Sequence, residues 1–208
     1  MPNGSVFTGI ADRYDRINRM LSLGRDGAWR RSVLVKLPPG RILDLGAGTG
    51  AANDDLGLQD VVALDPSPEM LHRNPTQRRV VGVGEQLPFI DGAFDAVFSA
   101  YVFRNLDSVP GTLAEIARVL CPGGVAGVVD LGRPRRRTAA AIHRAGSGIV
   151  LGTVGVLAGS AQEYRYLGKS LDKLPQPEEM FAGGPLHLDE VWRMGPLGFV
   201  YGALLTRR

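Results

Sequence analysis

Ile42-Leu43-Asp44-Leu45-Gly46-Ala47-Gly48-Thr49-Gly50 is the stretch of sequence that decides the fold. An apolar run over Arg41–Leu45 leads into three glycines at alternate positions, which predicts a buried parallel strand entering a tight turn. Glycines let the backbone come close to a ligand, because a Cβ would collide with it. A strand, turn and helix in this order favour nucleotides, since the free amides at the helix start point at the ligand.

A second apolar run, residues 61–64, ends in Asp65, fifteen residues after Gly50. A carboxylate at that position can accept hydrogen bonds from both hydroxyls of a ribose. The two strands together therefore predict a nucleoside ligand.

Two nucleoside cofactors remain open at this point. Gly46, Gly48 and Ala51 also satisfy the dinucleotide fingerprint G-x-G-x-x-G/A, in which an acid about 20 residues downstream holds the ribose. Asp44 favours S-adenosylmethionine over NAD, because a carboxylate beside the glycines suits a ligand with a cationic amino acid and repels a pyrophosphate. The simplest alternative is that the glycines form only a tight turn.

Length and composition predict a single soluble domain, with or without a small lid, and no metal. The hydrophobic content of 44% and charged content of 22% over 208 residues are those of a globular protein. The first twenty residues are charged throughout, so we expect no signal peptide and a cytoplasmic location. One cysteine, Cys121, and three scattered histidines argue against a disulfide and a zinc site.

The net charge of +3 is modest, and the sequence lacks the interleaved basic and aromatic residues typical of nucleic-acid binding. We therefore expect no nucleic-acid partner. The densest basic run, Arg-Pro-Arg-Arg-Arg at residues 133–137, is either a solvated loop or a contact with an anionic surface.

The rest of the chain predicts alternating helices and strands. Two helices are expected between residues 5 and 37, where they could cover the nucleotide pocket as a lid. Further strands are expected at residues 79–83, 94–100, 125–131 and in the apolar tail 197–206, with a helix at 110–120. This alternation predicts a doubly wound α/β sheet. Ligands bind such sheets at the carboxyl ends of the strands, which here are residues 46–50, 65, 83–85 and 100–105.

These motifs resemble those of the class I S-adenosylmethionine-dependent methyltransferases, and among them the UbiE/MenG-type C-methyltransferases of ubiquinone and menaquinone biosynthesis. The likeness covers most of residues 7–180. Near the N-terminus it rests on Phe7, Ile10, Ala11, Arg13, Tyr14, Asp15, Asn18, Ser22, Gly24, Trp29 and Arg30. Further on it rests on Asp65-Pro66-Ser67, Met70, residues 85–89, Phe94-Asp95, Arg104-Asn105, residues 118–124, and Tyr164-Arg165-Tyr166-Leu167 with Ser170.

The resemblance implies a Rossmann-like, mostly parallel sheet of seven strands and a role for each motif. The expected cofactor-binding residues are Asp44, Gly46, Gly48, Thr49, Asp65, Val83, Gly84 and Ala100. The expected catalytic residues are Arg104, Asn105 and Asp130. Contacts with the substrate are expected from Tyr14, Tyr164 and Tyr166.

Three positions depart from the family's pattern. Val83 stands where the family usually has Asn or Asp, whose side chain can bond the adenine amine. Ala100 replaces a small residue that is often Ser, and Ala51 replaces the acid that usually follows the glycine loop. Losing one side-chain hydrogen bond weakens binding by about tenfold at most, so cofactor binding should survive.

The resemblance implies C-methylation of a prenylated quinol, demethylmenaquinol to menaquinol. The ring carbon becomes nucleophilic when a ring hydroxyl loses its proton, which requires a base and a cation that stabilises the oxygen. Arg104 fits the cation, and Asn105 could orient the ring. Three alternatives remain: another small aromatic or lipid acceptor, an NAD-dependent oxidoreductase, and a catalytically inactive adenosylmethionine-binding module.

We expect residues 1–37 to form the helical lid and residues 38–208 the methyltransferase core, with a substrate segment near residues 133–180. Residues 146–159 are apolar and uncharged but too few to span a bilayer. They predict a core or pocket wall, or a groove for the prenyl tail. With residues 133–137 on anionic headgroups, the protein would be peripheral at the inner face of the membrane. A homodimer is compatible with the sequence.

Overall fold

The computed structural model describes residues 22, 24–57, 60–136, 138–141, 143 and 174–208. Within these residues seven strands form one sheet. The strands are β1 (Arg41–Leu45), β2 (Asp60–Asp65), β3 (Arg78–Val81), β4 (Phe94–Ala100), β5 (Leu120–Leu131), β6 (His187–Met194) and β7 (Val200–Thr206). The described α-helices include α1 (Asp26–Leu34), α2 (Asn53–Leu56), α3 (Pro68–Arg73), α4 (Val109–Val119) and α5 (Pro177–Met180).

The strands lie in the order β3-β2-β1-β4-β5-β7-β6. Strands β1 to β5 are parallel to their neighbours, whereas β7 runs antiparallel between β5 and β6. The predicted doubly wound, mostly parallel sheet is therefore confirmed, and the order reverses at β1 and β4. A ligand crevice is expected at that switch point, beyond the carboxyl ends of these two strands.

Successive side chains of β1 pack on opposite faces of the sheet, as the period of a strand requires. Leu43 and Leu45 belong to a cluster with Ile116 of α4, whereas Ile42 packs with Trp29 of α1. Because both faces are covered by helices, three of the five residues of the strand are apolar and buried, and Asp44 is the exception among its buried residues. The run over Arg41–Leu45 that predicts this strand matches its observed bounds.

The start of helix α4 is marked in the sequence by a capping serine and a proline. The hydroxyl of Ser108 accepts a hydrogen bond from the amide of Gly111 at 3.1 Å, and Pro110 lies in the first turn, where its missing N–H costs nothing. The helix predicted at residues 110–120 is observed over Val109–Val119.

The structure differs from the sequence prediction at three elements in particular. The third strand ends at Val81, two residues early. The fifth begins at Leu120, five residues before the predicted start, so the Pro-Gly-Gly run at 122–124 is part of it. Strand β6, over His187–Met194, is the one of the seven expected strands that no sequence pattern located. Of the two helices predicted in residues 5–37, the second is α1, and the first lies outside the described residues.

Candidate active site

A cavity of about 360 Å³ opens at the carboxyl ends of β1, β2 and β4, within the range of roughly 300–1,000 Å³ typical of ligand pockets. It lies at the switch point of the sheet, where the topology favours a ligand. The structure brings all eight predicted cofactor-binding residues to its wall: Asp44, Gly46, Gly48, Thr49, Asp65, Val83, Gly84 and Ala100.

The glycine turn after β1 is held by backbone bonds and by packing. The amides of Gly46 and Ala47 both donate to the carbonyl oxygen of Leu64, at 2.8 and 3.0 Å. Gly46 has a φ of +75°, and a Cβ there would collide with Cγ2 of Val102. Glycine is therefore required at this position by the protein's own packing as well as by its backbone conformation.

Gly48 is the glycine of the turn that leaves room for a ligand. A Cβ at this position would meet only the Sδ of Met70, at 3.6 Å, which is ordinary van der Waals contact. The amide of Gly48 donates to Oδ2 of Asp65 at 2.9 Å. The backbone here is thus fixed by Asp65 and open toward the cavity.

Asp65 connects the glycine turn to the loop that follows β2. Its Oδ1 accepts the amide hydrogen of Ser67 at 2.8 Å, while its Oδ2 holds Gly48. Burial raises the pKa of Asp65, and the two amide hydrogen bonds oppose that rise. Each carboxylate oxygen retains a second lone pair, so the side chain can still accept hydrogen bonds from ligand hydroxyls.

Asp44 is the buried carboxylate that the folded protein leaves unsatisfied. The residue is 2% exposed, and within the described part of the chain its Oδ2 has no hydrogen-bond partner. Burial and the nearby charge of Asp65 raise its pKa to about 7, while the charge of Arg30 opposes the rise. Such a group costs folding free energy, so its presence in a cavity wall indicates a cationic ligand group.

The only cationic side chain on the cavity wall, among the described residues, is that of Arg30. Its Nη1 lies 2.8 Å from Oδ2 of Asp26, and its Nε lies 3.4 Å from Oδ2 of Asp55. Only 11% of the Arg30 side chain is exposed. Helix α1 therefore contributes one buried, doubly paired guanidinium to the site.

The opposite wall is formed by the loop after β3. Val83 and Gly84 lie there, and a Cβ on Gly84 would come within 2.9 Å of Cγ2 of Thr112. Oε1 of Glu85 accepts the amide hydrogens of Asp107 and Ser108 at 2.9 and 3.1 Å. This carboxylate fixes the loop to the start of α4.

The predicted catalytic residues occupy different places. Asn105 lines the cavity, whereas Arg104 and Asp130 are not among the described residues on its wall. Nη1 of Arg104 lies 3.1 Å from Oδ1 of Asp130, whose Oδ2 accepts the amide hydrogen of Phe103 at 2.8 Å. Burial raises the pKa of Asp130, and the charge of Arg104 opposes that rise. The ion pair thus holds the 3-10 turn Phe103–Asn105, which carries Asn105 to the cavity.

The predicted substrate contacts Tyr14, Tyr164 and Tyr166 lie outside the described residues, as do residues 146–159. Asp26, Arg30 and Tyr101 also line the cavity. The sequence placed Tyr101 only within the pocket segment 100–105, gave Asp26 no role, and marked Arg30 only as part of a family signature. Tyr101 has a φ of +63° and a buried Oη without a hydrogen-bond partner in the described residues, and no sequence signal announces either property.

The charge of the wall fits S-adenosylmethionine. The described acidic residues that line the cavity with Arg30 are Asp26, Asp44, Asp54, Asp65, Glu85 and Asp107. An acidic surplus attracts a sulfonium and an ammonium group and repels a pyrophosphate. Together with the unsatisfied oxygen of Asp44, it favours S-adenosylmethionine over NAD.

Comparison with known proteins identifies a family of methyltransferases, which agrees with a site for S-adenosylmethionine. The profile of the ubiE/COQ5 methyltransferase family matches residues 3–183. The demethylmenaquinone methyltransferase of Thermus thermophilus is 38% identical over 197 residues, which is 85% of this chain and 88% of that protein. The demethylmenaquinone methyltransferase of Corynebacterium efficiens is 35% identical over 186 residues, 85% of this chain and 80% of that one.

Solved structures share the fold at low sequence identity. A SAM-dependent methyltransferase of Thermotoga maritima superposes with a TM-score of 0.72 at 17% identity, covering 98% of this chain and 99% of that chain. One from Aquifex aeolicus superposes with a TM-score of 0.59 at 18% identity, covering 93% and 98%.

Proposed function

The chain belongs to the ubiE/COQ5 methyltransferase family, and from this premise we propose that it methylates a ring carbon of demethylmenaquinol with S-adenosylmethionine, giving menaquinol. The cofactor and the reaction class follow from the family. The acceptor is proposed because the similar proteins of Thermus thermophilus and Corynebacterium efficiens are demethylmenaquinone methyltransferases. The structural observation that best supports S-adenosylmethionine as the cofactor is the Oδ2 of Asp44, which lies on the cavity wall without a hydrogen-bond partner among the described residues.

Asp44, Asp65 and the glycine turn would hold the cofactor. It would supply an activated methyl group on a sulfonium for transfer to the ring carbon, with S-adenosylhomocysteine as the leaving group and the displaced ring proton passing to solvent. The protein's share is to orient the acceptor and to exclude water. Asp65 and Gly48 fix the glycine turn by the 2.9 Å hydrogen bond between them. Asp44 provides a carboxylate for the ligand's cationic end.

The acceptor side is assigned to the 3-10 turn after β4. Asn105 lines the cavity, and its amide can donate a hydrogen bond to the quinolate oxygen or accept one from the quinol hydroxyl. Arg104 supplies a fixed positive charge next to this residue, held by Asp130. In a partly buried site such a charge stabilises a developing oxyanion more than it would in water.

The decisive experiment uses purified protein, S-adenosylmethionine and a short-chain demethylmenaquinone, with and without chemical reduction under anaerobic conditions. We expect mass spectrometry to show a product heavier by one CH₂ only with the reduced acceptor, because only the quinol gives an electron-rich ring carbon. The Asp65→Ala variant is the negative control, since it removes the amide contacts that hold the glycine turn at Gly48 and the loop after β2 at Ser67.

Each other result of this experiment contradicts the proposal in a recognisable way. Methylation of the oxidised quinone would exclude the enolate mechanism. Turnover only with another member of an aromatic and lipid acceptor panel would assign a different substrate. Tight binding of S-adenosylhomocysteine with no turnover on any acceptor would indicate an inactive binding module.

We also propose that the protein reaches its acceptor by peripheral contact with an anionic membrane, through residues 133–137 and 146–159, and that residues 1–37 act as a lid. Arg135 and Arg136 are exposed, which suits binding to headgroups. None of the helices in the described residues has the length and apolar character to cross a bilayer. Co-sedimentation with anionic vesicles at low salt tests the contact, and its absence would refute it. A homodimer stays a prediction that sedimentation velocity can check.

A further inference from the structure

We propose that Arg30 binds the carboxylate of the cofactor's methionine end, beside the ammonium site at Asp44. This inference deepens the cofactor half of the proposed function and is independent of the acceptor. Arg30 and Asp44 both line the cavity, and each is largely buried, with 11% of the arginine side chain and 2% of Asp44 exposed.

The methionine end of S-adenosylmethionine is a zwitterion, with an ammonium and a carboxylate on one carbon. A site for this zwitterion needs an anionic acceptor for the ammonium and, close to it, a cationic donor for the carboxylate. Asp44 has the unsatisfied acceptor, and Arg30 is the one cationic side chain that the described residues bring to this wall. Their mutual influence on ionisation agrees with their proximity, because the charge of Arg30 lowers the pKa of Asp44.

The guanidinium of Arg30 is held so that part of it remains for a ligand. Asp26 contacts Nη1, and Asp55 contacts Nε. Neither ion pair uses Nη2. Arginine has five N–H donors in a rigid fork, so two fixed carboxylates orient the group without using all of its donors.

The location also fits the glycine turn. Asp55 lies in α2, which follows that turn, and Asp44 precedes it in β1. Arg30 is paired with the first and electrostatically coupled to the second. Its guanidinium therefore interacts with residues on both sides of the backbone segment that the family resemblance assigns to the methionine part of the cofactor.

Arg31, in the same helix, is a matched control that separates ligand binding by Arg30 from a purely structural role in which Arg30 only links α1 to α2. Nη1 of Arg31 lies 2.9 Å from Oδ1 of Asp55, and the Arg31 side chain is 59% exposed. Arg31 is not among the described residues of the cavity wall. A tether would involve both arginines, whereas a ligand contact would involve Arg30 alone.

The test is calorimetric binding of three ligands: S-adenosylhomocysteine, its decarboxylated analogue, and methylthioadenosine, which lacks the whole amino acid. In the unmodified protein we expect loss of the carboxylate to weaken binding by about 10- to 100-fold, the effect of one charge-assisted hydrogen bond. Arg30→Gln should weaken S-adenosylhomocysteine by a similar factor and leave methylthioadenosine within about twofold. The decarboxylated analogue should lose less affinity than S-adenosylhomocysteine, its loss coming only from the higher pKa of Asp44 without the charge of Arg30. Arg31→Gln should change none of the three affinities.

Other results overturn the inference. If Arg30→Gln weakens all three ligands equally, the residue only shapes the site. If the unmodified protein binds S-adenosylhomocysteine and its decarboxylated analogue equally well, no cation binds the carboxylate. This comparison uses only the unmodified protein, so it does not depend on whether the variants fold. Either result leaves the methyltransferase assignment intact. If none of the three ligands binds to the unmodified protein, the proposed function itself is refuted.

Discussion

The guanidinium of Arg104 lies 3.1 Å from the carboxylate of Asp130, with 7% and 0% of the two side chains exposed. Asp130 also accepts the amide hydrogens of Phe103 and Leu131, at 2.8 and 2.6 Å. One carboxylate at the end of β5 thus fixes both the arginine and the backbone of the turn after β4. The position of Asn105 in the cavity depends on this arrangement.

We expect Asp130→Ala to lower the free energy of unfolding by about 3–5 kcal/mol, because it leaves a buried guanidinium without its carboxylate and also removes the acceptor for two backbone amides. Asp130→Asn also removes the charge but should cost less, since its amide oxygen can still accept a backbone hydrogen bond. Urea unfolding followed by circular dichroism measures both. Equal losses in the two variants would show that charge compensation, and not the backbone contacts, decides the stability here.

Gly46→Ala should be more destabilising than Gly183→Ala, although both glycines have a positive φ, +75° and +67°. Alanine at a positive φ carries a backbone strain of about 1–3 kcal/mol. At Gly46 the new methyl also collides with Val102, whereas at Gly183 it meets no described atom within 4 Å. Overpacking adds about 1–3 kcal/mol. Denaturant unfolding of the two variants isolates this difference, and equal losses would argue against the close packing at Gly46.

Asp44 should make the ligand-free protein less stable as the pH rises. Burial raises its folded pKa to about 7, from about 3.9 in an unfolded chain. The folded state therefore holds the proton more tightly, and this contribution to stability is full below about pH 4 and lost as the pH rises through about 7. Asp44→Asn should raise the melting temperature more at pH 8 than at pH 5. A gain that is the same at both pH values would contradict the raised pKa.

The same carboxylate should make cofactor affinity depend on pH in the opposite sense. Only ionised Asp44 can pair with an ammonium group, and its pKa of about 7 leaves it largely protonated at pH 6. We expect S-adenosylhomocysteine to bind more tightly at pH 8 than at pH 6, with proton release at the lower pH. Calorimetry in buffers of different ionisation enthalpy detects that release. Asp44→Asn should bind weakly and show no such dependence.

Val83→Asn should tighten the binding of S-adenosylhomocysteine by up to about tenfold, the effect of one neutral hydrogen bond. Val83 lines the cavity and is only partly buried, so a polar side chain there is not forced into an apolar core. Binding of adenosine alone provides the control, because the gain should appear in full with that fragment. A gain seen only with ligands that carry the amino acid would refute the assignment of this wall to adenine.

The sequence predicted the sheet and the cofactor wall well, because both depend on local patterns. Apolar runs ending in glycine or an acid located β1 and β2 almost to the residue. Strand β6, at one edge of the sheet, was not located. Its residues over His187–Met194 are mostly exposed or half-buried and include several charges, so no apolar run marks them.

The parts of the site that the sequence could not reveal depend on contacts between distant segments. Arg30 is brought to the cavity by its pairing with Asp55, twenty-five residues away. Arg104 was predicted from the family resemblance, which did not reveal its pairing with Asp130, twenty-six residues further on. A residue pattern shows which charged groups the chain contains, whereas only the folded structure shows which of them are paired with each other.

The antiparallel pairing of β7 between β5 and β6 has a consequence for how the chain assembles. In the described sheet β6 is hydrogen-bonded only to β7, although β6 precedes β7 along the chain. The earlier segment must therefore wait for the later one to dock on β5 before it finds a stable position. Amide hydrogens of His187–Met194 should consequently exchange with solvent no more slowly than those of Val200–Thr206, since every opening of β7 also releases β6.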